Sequence, residues 1–273
     1  MNFIQTLRMV QRRNSSLLSI GLDTDIGKLP GSLRSHEDPQ GEFNRRIIEA
    51  TKDLVCAYKL NIAFYESAGE RMWRTVHRTL SSIPDGIVTI GDGKRGDIAS
   101  SSEHQARYLL EDFKFTASTV NPYMGRDSVE PFIARAEQGA FILALTSNKG
   151  SEDFQYLVSS GRPLYEHVVA KVLKWNTKKN IGLVVGATHP GELKRIRSMA
   201  PELPILIPGV GAQSGDLEAA VRYGCDREGF LAVINVGRSI IHASTGEDFA
   251  EKAREAAVEF RDRMNAYREK YFR

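Results

Sequence analysis

The sequence alternates between short, almost purely apolar runs and longer segments in which apolar residues recur at helical spacing. Runs rich in Val, Ile and Leu, without polar alternation, are typical of parallel strands that are covered on both faces. We predict eight strands, at residues 17–23, 55–61, 87–90, 117–121, 140–146, 181–185, 204–207 and 230–236. We predict helices at residues 3–13, 40–54, 65–82, 102–113, 128–138, 164–175, 217–223 and 249–272, with a further helix that begins near residue 188.

Eight strands, each followed by a helix, favour the α/β class and within it a TIM (β/α)8 barrel. The chain of 273 residues has the length of one such barrel, so we assign residues 1–273 to a single domain. One helix, before the first strand, is extra to the repeating unit, and the helix after the eighth strand is a long C-terminal helix. An open doubly wound sheet is the alternative fold, because periodicity does not report closure.

Composition excludes several classes of protein. Hydrophobic residues make up 41% of the chain and charged residues 26%, a globular balance that argues against disorder. The formal net charge is only +3 and the basic residues are scattered, so we expect no nucleic-acid partner. Cys56 and Cys225 show no paired spacing, and no apolar run has the length of a membrane span or a signal peptide. We therefore expect a cytoplasmic protein without a membrane partner, a disulfide framework or a zinc site.

One predicted strand, residues 87–90, runs directly into a cluster of charges formed by Asp92, Lys94 and Asp97. Ligand crevices of parallel α/β folds lie beyond the carboxyl ends of the strands, where these side chains would fall. Held together in a cleft, such groups stay ionised by mutual attraction, as they do in catalytic sites. An exposed turn is the alternative, since Asp-Gly is a turn signal and charge runs are usually solvated.

Other predicted strands also end on a charge. Asp23 follows the first strand, Lys59 lies near the end of the second, and Arg238 follows the eighth. A lone charge in this position is usually a solvated loop residue. In a closed parallel barrel, however, the carboxyl ends of all strands meet on the face where barrel active sites lie. The recurrence of charges at these strand ends therefore favours a shared site.

A glycine-rich segment at residues 208–215 joins the seventh predicted strand to its helix and offers backbone amides to an anion. It departs from the dinucleotide-binding fingerprint, because Ser214 takes the third glycine position and the loop lies late in the chain. Together with Gly237 and Arg238 it matches the phosphate site that barrels build after strands seven and eight. Glycine turns beside a surface arginine are the alternative interpretation.

Polar side chains after the fifth predicted strand, at residues 146–151, suit hydrogen bonding to a polar heterocycle, although an ordinary loop has the same composition. The six histidines are dispersed and none pairs at metal-ligand spacing, so we predict no metal site. His189 stands at a predicted helix start, where capping geometry explains it.

The order of these motifs resembles the orotidine 5′-monophosphate decarboxylase family in its longer bacterial form, type 2. The resemblance spans nearly the whole chain and rests on Gly21-Leu-Asp23, Tyr58-Lys59, Asp92-Gly-Lys-Arg-Gly-Asp97-Ile98, Pro208-Gly-Val-Gly-Ala-Gln213 and Val236-Gly-Arg238-Ser239. It implies conversion of orotidine 5′-monophosphate to uridine 5′-monophosphate (UMP) in pyrimidine synthesis, with no metal and no cofactor. It also implies a homodimer whose active sites are shared between subunits.

The resemblance implies that Lys94 protonates C6 of the pyrimidine as carbon dioxide leaves. Lys94 would stand in a charged row with Lys59, Asp92 and, from the partner subunit, Asp97. The residue types suit this chemistry, because loss of carbon dioxide from a ring carbon without an electron sink leaves a localised carbanion. A preorganised cation stabilises that charge, and a lysine can then deliver the proton.

The resemblance also implies contacts with the rest of the substrate. Asp23 and Lys59 would contact the ribose, and Gln213, Gly237 and Arg238 would contact the phosphate. From the partner subunit, Ile98 would lie near the carboxylate pocket and Ser101 near the ribose. For the pyrimidine we choose Ser147, with Asn148 as the alternative, because sequence does not fix the loop register. Lys149 stands where many relatives have proline, which bears on the shape of this loop.

Two other functions fit parts of the pattern. The resemblance extends to sugar-phosphate decarboxylases and aldolases of the same superfamily, which reuse the Asp-x-Lys-x-x-Asp element together with a magnesium ion. In those enzymes an acidic residue near the end of strand two holds the magnesium ion. This chain has Lys59 there, which favours a metal-free site. A non-catalytic barrel that senses UMP is the second alternative, and the presence of every charge needed for catalysis argues against it.

Overall fold

The computed structural model describes residues 1–211 and 215–272, and its strands form a closed barrel and one small hairpin. In chain order the strands are β1 (Leu18–Gly21), β2 (Ala57–Asn61), β3 (Val88–Arg95), β4 (Ala117–Val120), β5 (Gly139–Leu145), β6 (Val158–Ser159), β7 (Arg162–Pro163), β8 (Ile181–Val185), β9 (Ile205–Ile207) and β10 (Ala232–Val236). The strands β6 and β7 pair antiparallel, and the other eight close a parallel barrel in the order β1-β10-β9-β8-β5-β4-β3-β2. The predicted TIM barrel is confirmed.

Helices surround this barrel between its strands. Those of the described residues are α1 (Phe3–Arg13), α2 (Pro39–Thr51), α3 (Ala63–Glu66), α4 (Met72–Ser81), α5 (Ala99–Arg107), α6 (Arg126–Val129), α7 (Leu164–Trp175), α8 (Pro190–Met199), α9 (Leu217–Gly224), α10 (Arg238–Ile241) and α11 (Phe249–Phe272). The extra N-terminal and long C-terminal helices are therefore present as predicted. Within the described residues, no helix combines the length and the apolar character that a membrane crossing requires.

The hydrophobic core follows from the apolar strands. All residues of β8 and β10 are buried, because the helices cover one face of each strand and the barrel interior the other. The C-terminal helix α11 packs on α2, where the ring of Phe249 stacks on that of Phe43 with centroids 4.8 Å apart. Burial of two such rings contributes several kcal/mol, of the order of 2 kcal/mol each.

The N-terminal helix α1 closes the amino end of the barrel. Its Phe3 meets Phe141 of β5 edge to face at 5.6 Å, and Gly139 leaves room for the ring, since a Cβ there would lie 2.5 Å from it. The buried Gln11 donates to the carbonyl of Ala232 and accepts from the amide of Leu231. With this end closed, the carboxyl ends of the strands remain available for a site.

Several predicted elements differ from the observed ones. In place of the helix predicted at residues 128–138, the chain has the four-residue α6 followed by a short 3-10 helix at Glu130–Ile133. The third strand does not end at residue 90 but continues as β3 to Arg95, so Asp92 and Lys94 lie within the strand. The helix predicted at residues 65–82 is divided into α3 and α4, because Gly69 adopts a left-handed φ of 62° between them. The hairpin of β6 and β7 was not predicted, since its strands have only two residues each.

The helix after β3 also begins earlier than predicted. Its first residue is Ala99 and its N-cap position is Ile98, which has no side-chain cap. The early start reflects the tight turn after the charged motif, in which Ala99 has a φ of 46°. Ser102 lies inside the helix and its hydroxyl donates to the carbonyl of Ser128.

Candidate active site

A cavity of about 380 Å³ opens at the carboxyl end of the barrel strands. Its volume is in the range of small-molecule sites, and the position is the one at which TIM barrels carry their chemistry. Apolar side chains from three strands form part of its wall, namely Leu143, Val184 and Leu206. Eight of the predicted site residues also line it: Asp23, Lys59, Asp92, Lys94, Ser147, Asn148, Gly237 and Arg238.

Asp92 is the centre of a charged row on the cavity wall. One carboxylate oxygen, Oδ2, lies 3.0 Å from Nζ of Lys59, and the other, Oδ1, lies 2.8 Å from Nζ of Lys94. Lys59 also contacts Asp23, whose Oδ1 lies 3.2 Å from Nζ. The row therefore alternates in sign from Asp23 to Lys59, Asp92 and Lys94. Asp23 lies in the segment after β1, Lys59 lies on β2, and Asp92 and Lys94 lie on β3.

Burial and charge act in opposite directions on this row. Burial by itself disfavours the charged form of Asp92, but the nearby Lys59 and Lys94 outweigh it and hold the pKa of the Asp92 carboxyl well below its usual range. Burial likewise opposes the charge on Lys59, and the adjacent Asp23 and Asp92 overcome it and raise the pKa of the Lys59 ammonium. Both groups are consequently ionised at neutral pH.

The backbone of Lys94 is held in an uncommon conformation. Its φ is 46°, in the left-handed region, which costs a residue with a side chain of order 1–3 kcal/mol. The pairing of β3 with β4 shifts register between Gly91 and Arg95, so Lys94 stands at an irregularity of the ladder. The side chain of Lys94 is half exposed at the cavity. A bulge of this kind re-aims a side chain, here into the cavity.

Contacts from other elements hold this irregular segment. The amide of Asn121 donates to the carbonyl of Arg95, and the amide of Gly96 donates to the side chain of Gln105 on α5. Arg95 donates to Tyr108 and pairs with Glu66. The motif is thus connected to α3, β4 and α5, and its geometry depends on the tertiary fold.

The described part of the glycine-rich segment and the start of α10 also line the cavity. Pro208, Gly209, Gly237 and Arg238 all line it, and the Arg238 side chain is exposed. Gly209 has a φ of 97°, a conformation that glycine adopts without strain. Gln213, predicted to bind phosphate, lies outside the described residues.

The loop after β5 presents Thr146, Ser147 and Asn148 to the cavity, and Gln155 and His189 hold Thr146 in place. The amide of Thr146 donates to Oε1 of Gln155 at 2.8 Å, its hydroxyl accepts from Nε2 of Gln155 at 2.9 Å, and its carbonyl lies 3.0 Å from Nε2 of His189. His189 therefore does more than stand at a helix start, because its ring contacts the loop that carries Ser147.

Three predicted site residues do not line the cavity of their own chain: Asp97, Ile98 and Ser101. They lie in the turn after β3 and the first turn of α5. Asp97 accepts a hydrogen bond from the amide of Ile98, whose side chain is 60% exposed, and Ser101 is exposed. Within one chain, the structure does not bring them to the charged row.

Three further polar residues line the cavity and were not predicted: Asn61, Thr119 and Asn235. The signal for Asn61 was present, because it stands two residues after Lys59 and so on the same face of β2. Asn235 interrupts an apolar run just before Gly237, which also marks it. Thr119 left no signal, since a threonine within a strand is ordinary.

The sequence profile of the orotidine 5′-phosphate decarboxylase / HUMPS family matches residues 16–255. The chain belongs to this family. Among curated relatives, orotidine 5′-phosphate decarboxylase of Dehalococcoides mccartyi (strain BAV1) is 46% identical over 99% of this chain and 100% of its own length. The enzyme of Ralstonia pickettii with the same name is 44% identical over 98% and 100%.

A solved structure agrees with the sequence comparison. The OMP decarboxylase of Leishmania donovani superimposes with a TM-score of 0.86 and 36% identity, over 98% of this chain and 99% of that one. The likeness thus covers the barrel, the N-terminal helix and the long C-terminal helix together. No group of three or more His, Cys, Asp or Glu side chains within residues 1–211 and 215–272 has the arrangement of a metal site.

Proposed function

We propose that the chain decarboxylates orotidine 5′-monophosphate to UMP and carbon dioxide. The observation that carries the proposal is the alternating row of Lys59, Asp92 and Lys94 on the cavity wall. It stands in a chain that matches orotidine 5′-phosphate decarboxylases over their full length. The reaction would supply UMP to pyrimidine nucleotide synthesis.

In the proposed mechanism, Lys94 donates the proton to C6. Decarboxylation places a negative charge on that carbon, and a cation already in position stabilises it without reorganisation of solvent. Asp92, which is buried and ionised, orients the Lys94 ammonium through their 2.8 Å contact. No cofactor is needed for these steps, because the ammonium provides both the electrostatic stabilisation and the proton.

The rest of the cavity supports the binding of a nucleotide. Asp23 is only partly buried and its carboxylate, next to Lys59, can accept from a ribose hydroxyl. Ser147 or Asn148 would hydrogen-bond the pyrimidine, whereas Gln213, Gly237 and Arg238 would hold the phosphate. Binding energy from the phosphate, far from C6, can then favour the geometry of the chemical step.

We propose that the active form is a homodimer. The support comes from Asp97, Ile98 and Ser101, which follow the charged motif directly but do not face their own cavity. Exposed apolar side chains stand on Ile98 and, after β4, on Tyr123 and Met124, at 60%, 84% and 51% exposure. Exposed apolar side chains that form a patch favour an interface with another chain. Each subunit would donate Asp97, Ile98 and Ser101 to its neighbour's site.

We further propose that residues 1–273 act as one domain in the cytoplasm. The N-terminal helix closes the barrel and α11 packs on α2, α9 and α10, so neither end of the chain stands apart. Cys56 and Cys225 are free, buried thiols, which suits a reducing compartment.

A magnesium-dependent sugar-phosphate decarboxylase or aldolase is the second candidate, because the matched family includes the HUMPS group. Lys59 argues against it, since its ammonium lies between Asp23 and Asp92, where a cationic metal would be repelled.

The test is to mix the purified chain with orotidine 5′-monophosphate and to follow its ultraviolet absorbance. We expect loss of the substrate with an equal amount of UMP formed, at the same rate with and without EDTA. Strict dependence on magnesium, or turnover of a sugar phosphate instead, would favour the second candidate.

A further inference from the structure

The hydroxyl of Thr119, on β4, is hydrogen-bonded to both Asp92 and Lys94 of the charged motif. It accepts from the backbone amide of Lys94 at 2.9 Å and donates to Oδ1 of Asp92 at 2.7 Å. The directions follow from chemistry, because the amide can only donate and the ionised carboxylate can only accept. Thr119 is 1% exposed, so water has little access to its hydroxyl.

This contact replaces a missing part of the sheet. Regular pairing of β3 with β4 is interrupted between Gly91 and Arg95, where the register shifts. The amide of Lys94 falls in that interval and would lack a partner from the ladder, but the Thr119 side chain provides one. Because Lys94 has a φ of 46°, its backbone needs such an external contact to stay in place.

The contacts also form a closed ring. Oδ1 of Asp92 accepts from the Thr119 hydroxyl and, at 2.8 Å, from Nζ of Lys94. A path therefore runs from the Lys94 amide through Thr119 and Asp92 to the ammonium of the same Lys94. The Thr119 hydroxyl thus fixes the position of the Lys94 backbone. It also fixes the orientation of the Asp92 carboxylate, which in turn orients the Lys94 ammonium.

We propose that Thr119 is a positioning residue for Lys94, a role that rests on the proposed decarboxylase function. Its single hydroxyl proton is already given to Asp92, so Thr119 acts through Lys94 and Asp92 and donates nothing to the substrate. It affects the proton-transfer step, in which the ammonium must meet C6, more than it affects binding of the nucleotide.

A matched control lies at the amino end of the same strand pair. Near the amino end of the β3 and β4 pair, the hydroxyls of Thr89 and Thr116 lie 3.1 Å apart, and each accepts from the other's backbone amide. Replacing Thr116 with valine removes a hydroxyl that also connects β3 with the start of β4, but Thr116 does not line the active-site cavity. The Thr116→Val variant therefore measures how the loss of such a hydroxyl affects stability alone.

The experiment compares Thr119→Val, Thr119→Ser and Thr116→Val in the full chain. For Thr119→Val we expect kcat to fall roughly 10- to 100-fold with KM within about threefold, as for the loss of a hydrogen bond to a charged group. Thr119→Ser keeps the hydroxyl and should restore kcat to within about threefold of wild type. Thr116→Val should leave kcat unchanged. An unaltered kcat in folded Thr119→Val, or an equal loss in Thr116→Val, overturns the proposal.

Hydrogen exchange of the Lys94 amide gives a readout that does not depend on activity. In the wild-type chain this amide should be protected, and in Thr119→Val it should exchange at least about fivefold faster, whereas Thr119→Ser retains protection. An unprotected Lys94 amide in the wild type overturns the proposal even if Thr119→Val does not fold. If the wild type lacks decarboxylase activity, the proposed function fails, but the exchange rates still decide whether Thr119 holds Lys94.

Discussion

Nζ of Lys59 lies 3.0 Å from Oδ2 of Asp92, and both residues are more than nine-tenths buried. A buried ion pair is costly to form and still more costly to break, because removal of one partner leaves an uncompensated charge in the interior. Such a pair is weak support for stability and stronger support for a site that requires fixed charges. Its geometry leads to expectations about pH, substrate binding and subunit exchange.

The pair should make turnover insensitive to pH near neutrality. Asp92 has a lowered pKa, so the stability it contributes is complete above its unfolded pKa, about 4, and is lost as pH falls further. Lys59 has a raised pKa, so its contribution is complete below about 10.4 and is lost as pH rises through the folded pKa. We expect kcat at saturating substrate to show no titration of these groups from about pH 5 to 9. A titration midpoint of kcat within this pH range that shifts in the Thr119→Val variant would contradict the assignment of fixed charges to Lys59 and Asp92.

The proposed phosphate contact predicts a selective loss of binding in Arg238→Ala. Removing one charge-assisted hydrogen bond should weaken the affinity for UMP roughly 10- to 100-fold. Binding of uridine, which lacks the phosphate, should not change. Arg263→Ala, on the exposed face of α11, is the matched control and should bind UMP normally. Calorimetric titration of both ligands measures this, and an equal loss for uridine would show that the contact is misassigned.

Sharing of the site between subunits predicts complementation between two inactive variants. Lys94→Ala lacks the proton donor of its own site, and Asp97→Ala lacks the carboxylate it would give to its neighbour. In a mixed dimer one of the two sites is complete, so an equilibrated equimolar mixture should recover about a quarter of wild-type activity. Each variant alone should be nearly inactive. If the mixture is no more active than its components, Asp97 does not act across the interface.

A structural prediction concerns Glu42 on α2, which is 5% exposed and accepts from Arg45, Arg46 and Arg78. The hydrogen bonds from Arg45 outweigh the effect of burial and, together with Arg46, lower the pKa of Glu42 to about 2. Glu42→Gln should reduce the free energy of unfolding by roughly 1–3 kcal/mol at pH 7, and the difference should shrink as pH falls from about 4 toward the folded pKa.

Urea unfolding at pH 7 and pH 3 measures this difference. Glu49→Gln is the control, because Glu49 is on the same helix and its pair with Lys52 is exposed. That change should cost at most about 0.5 kcal/mol. Equal effects of the two variants at pH 7 would mean that the buried cluster around Glu42 does not stabilise the packing of α2 on α4.

Local patterns predicted much of the fold. The bounds of α1, α7, α11 and β8 coincide with the predicted residues 3–13, 164–175, 249–272 and 181–185. Continuous apolar runs and uninterrupted helical spacing carry this information in the sequence itself. The extension of β3 does not, because the residues from Gly91 to Arg95 are polar or glycine and join the strand only through their pairing with β2 and β4.

The candidate site shows the same limit. Lys59, Asp92 and Lys94 could be placed near one another from the sequence, since strand ends of one kind converge in a barrel. Thr119 could not, because its contact with Lys94 depends on a register shift between two strands. The outward position of Asp97 likewise depends on a turn whose direction, with a φ of 46° at Ala99, no local pattern specifies.

The rate at which orotidine 5′-monophosphate is converted by wild-type and Lys94→Ala chains tests the central claim most directly. With enzyme in excess over substrate, we expect the wild type to form one UMP per substrate, and Lys94→Ala to be slower by at least about 10³-fold. The variant should remain folded and still bind UMP, because the Lys94 side chain is half exposed. Equal rates in the two proteins would remove Lys94 from catalysis, and no conversion by folded, dimeric wild type would contradict the decarboxylase function itself.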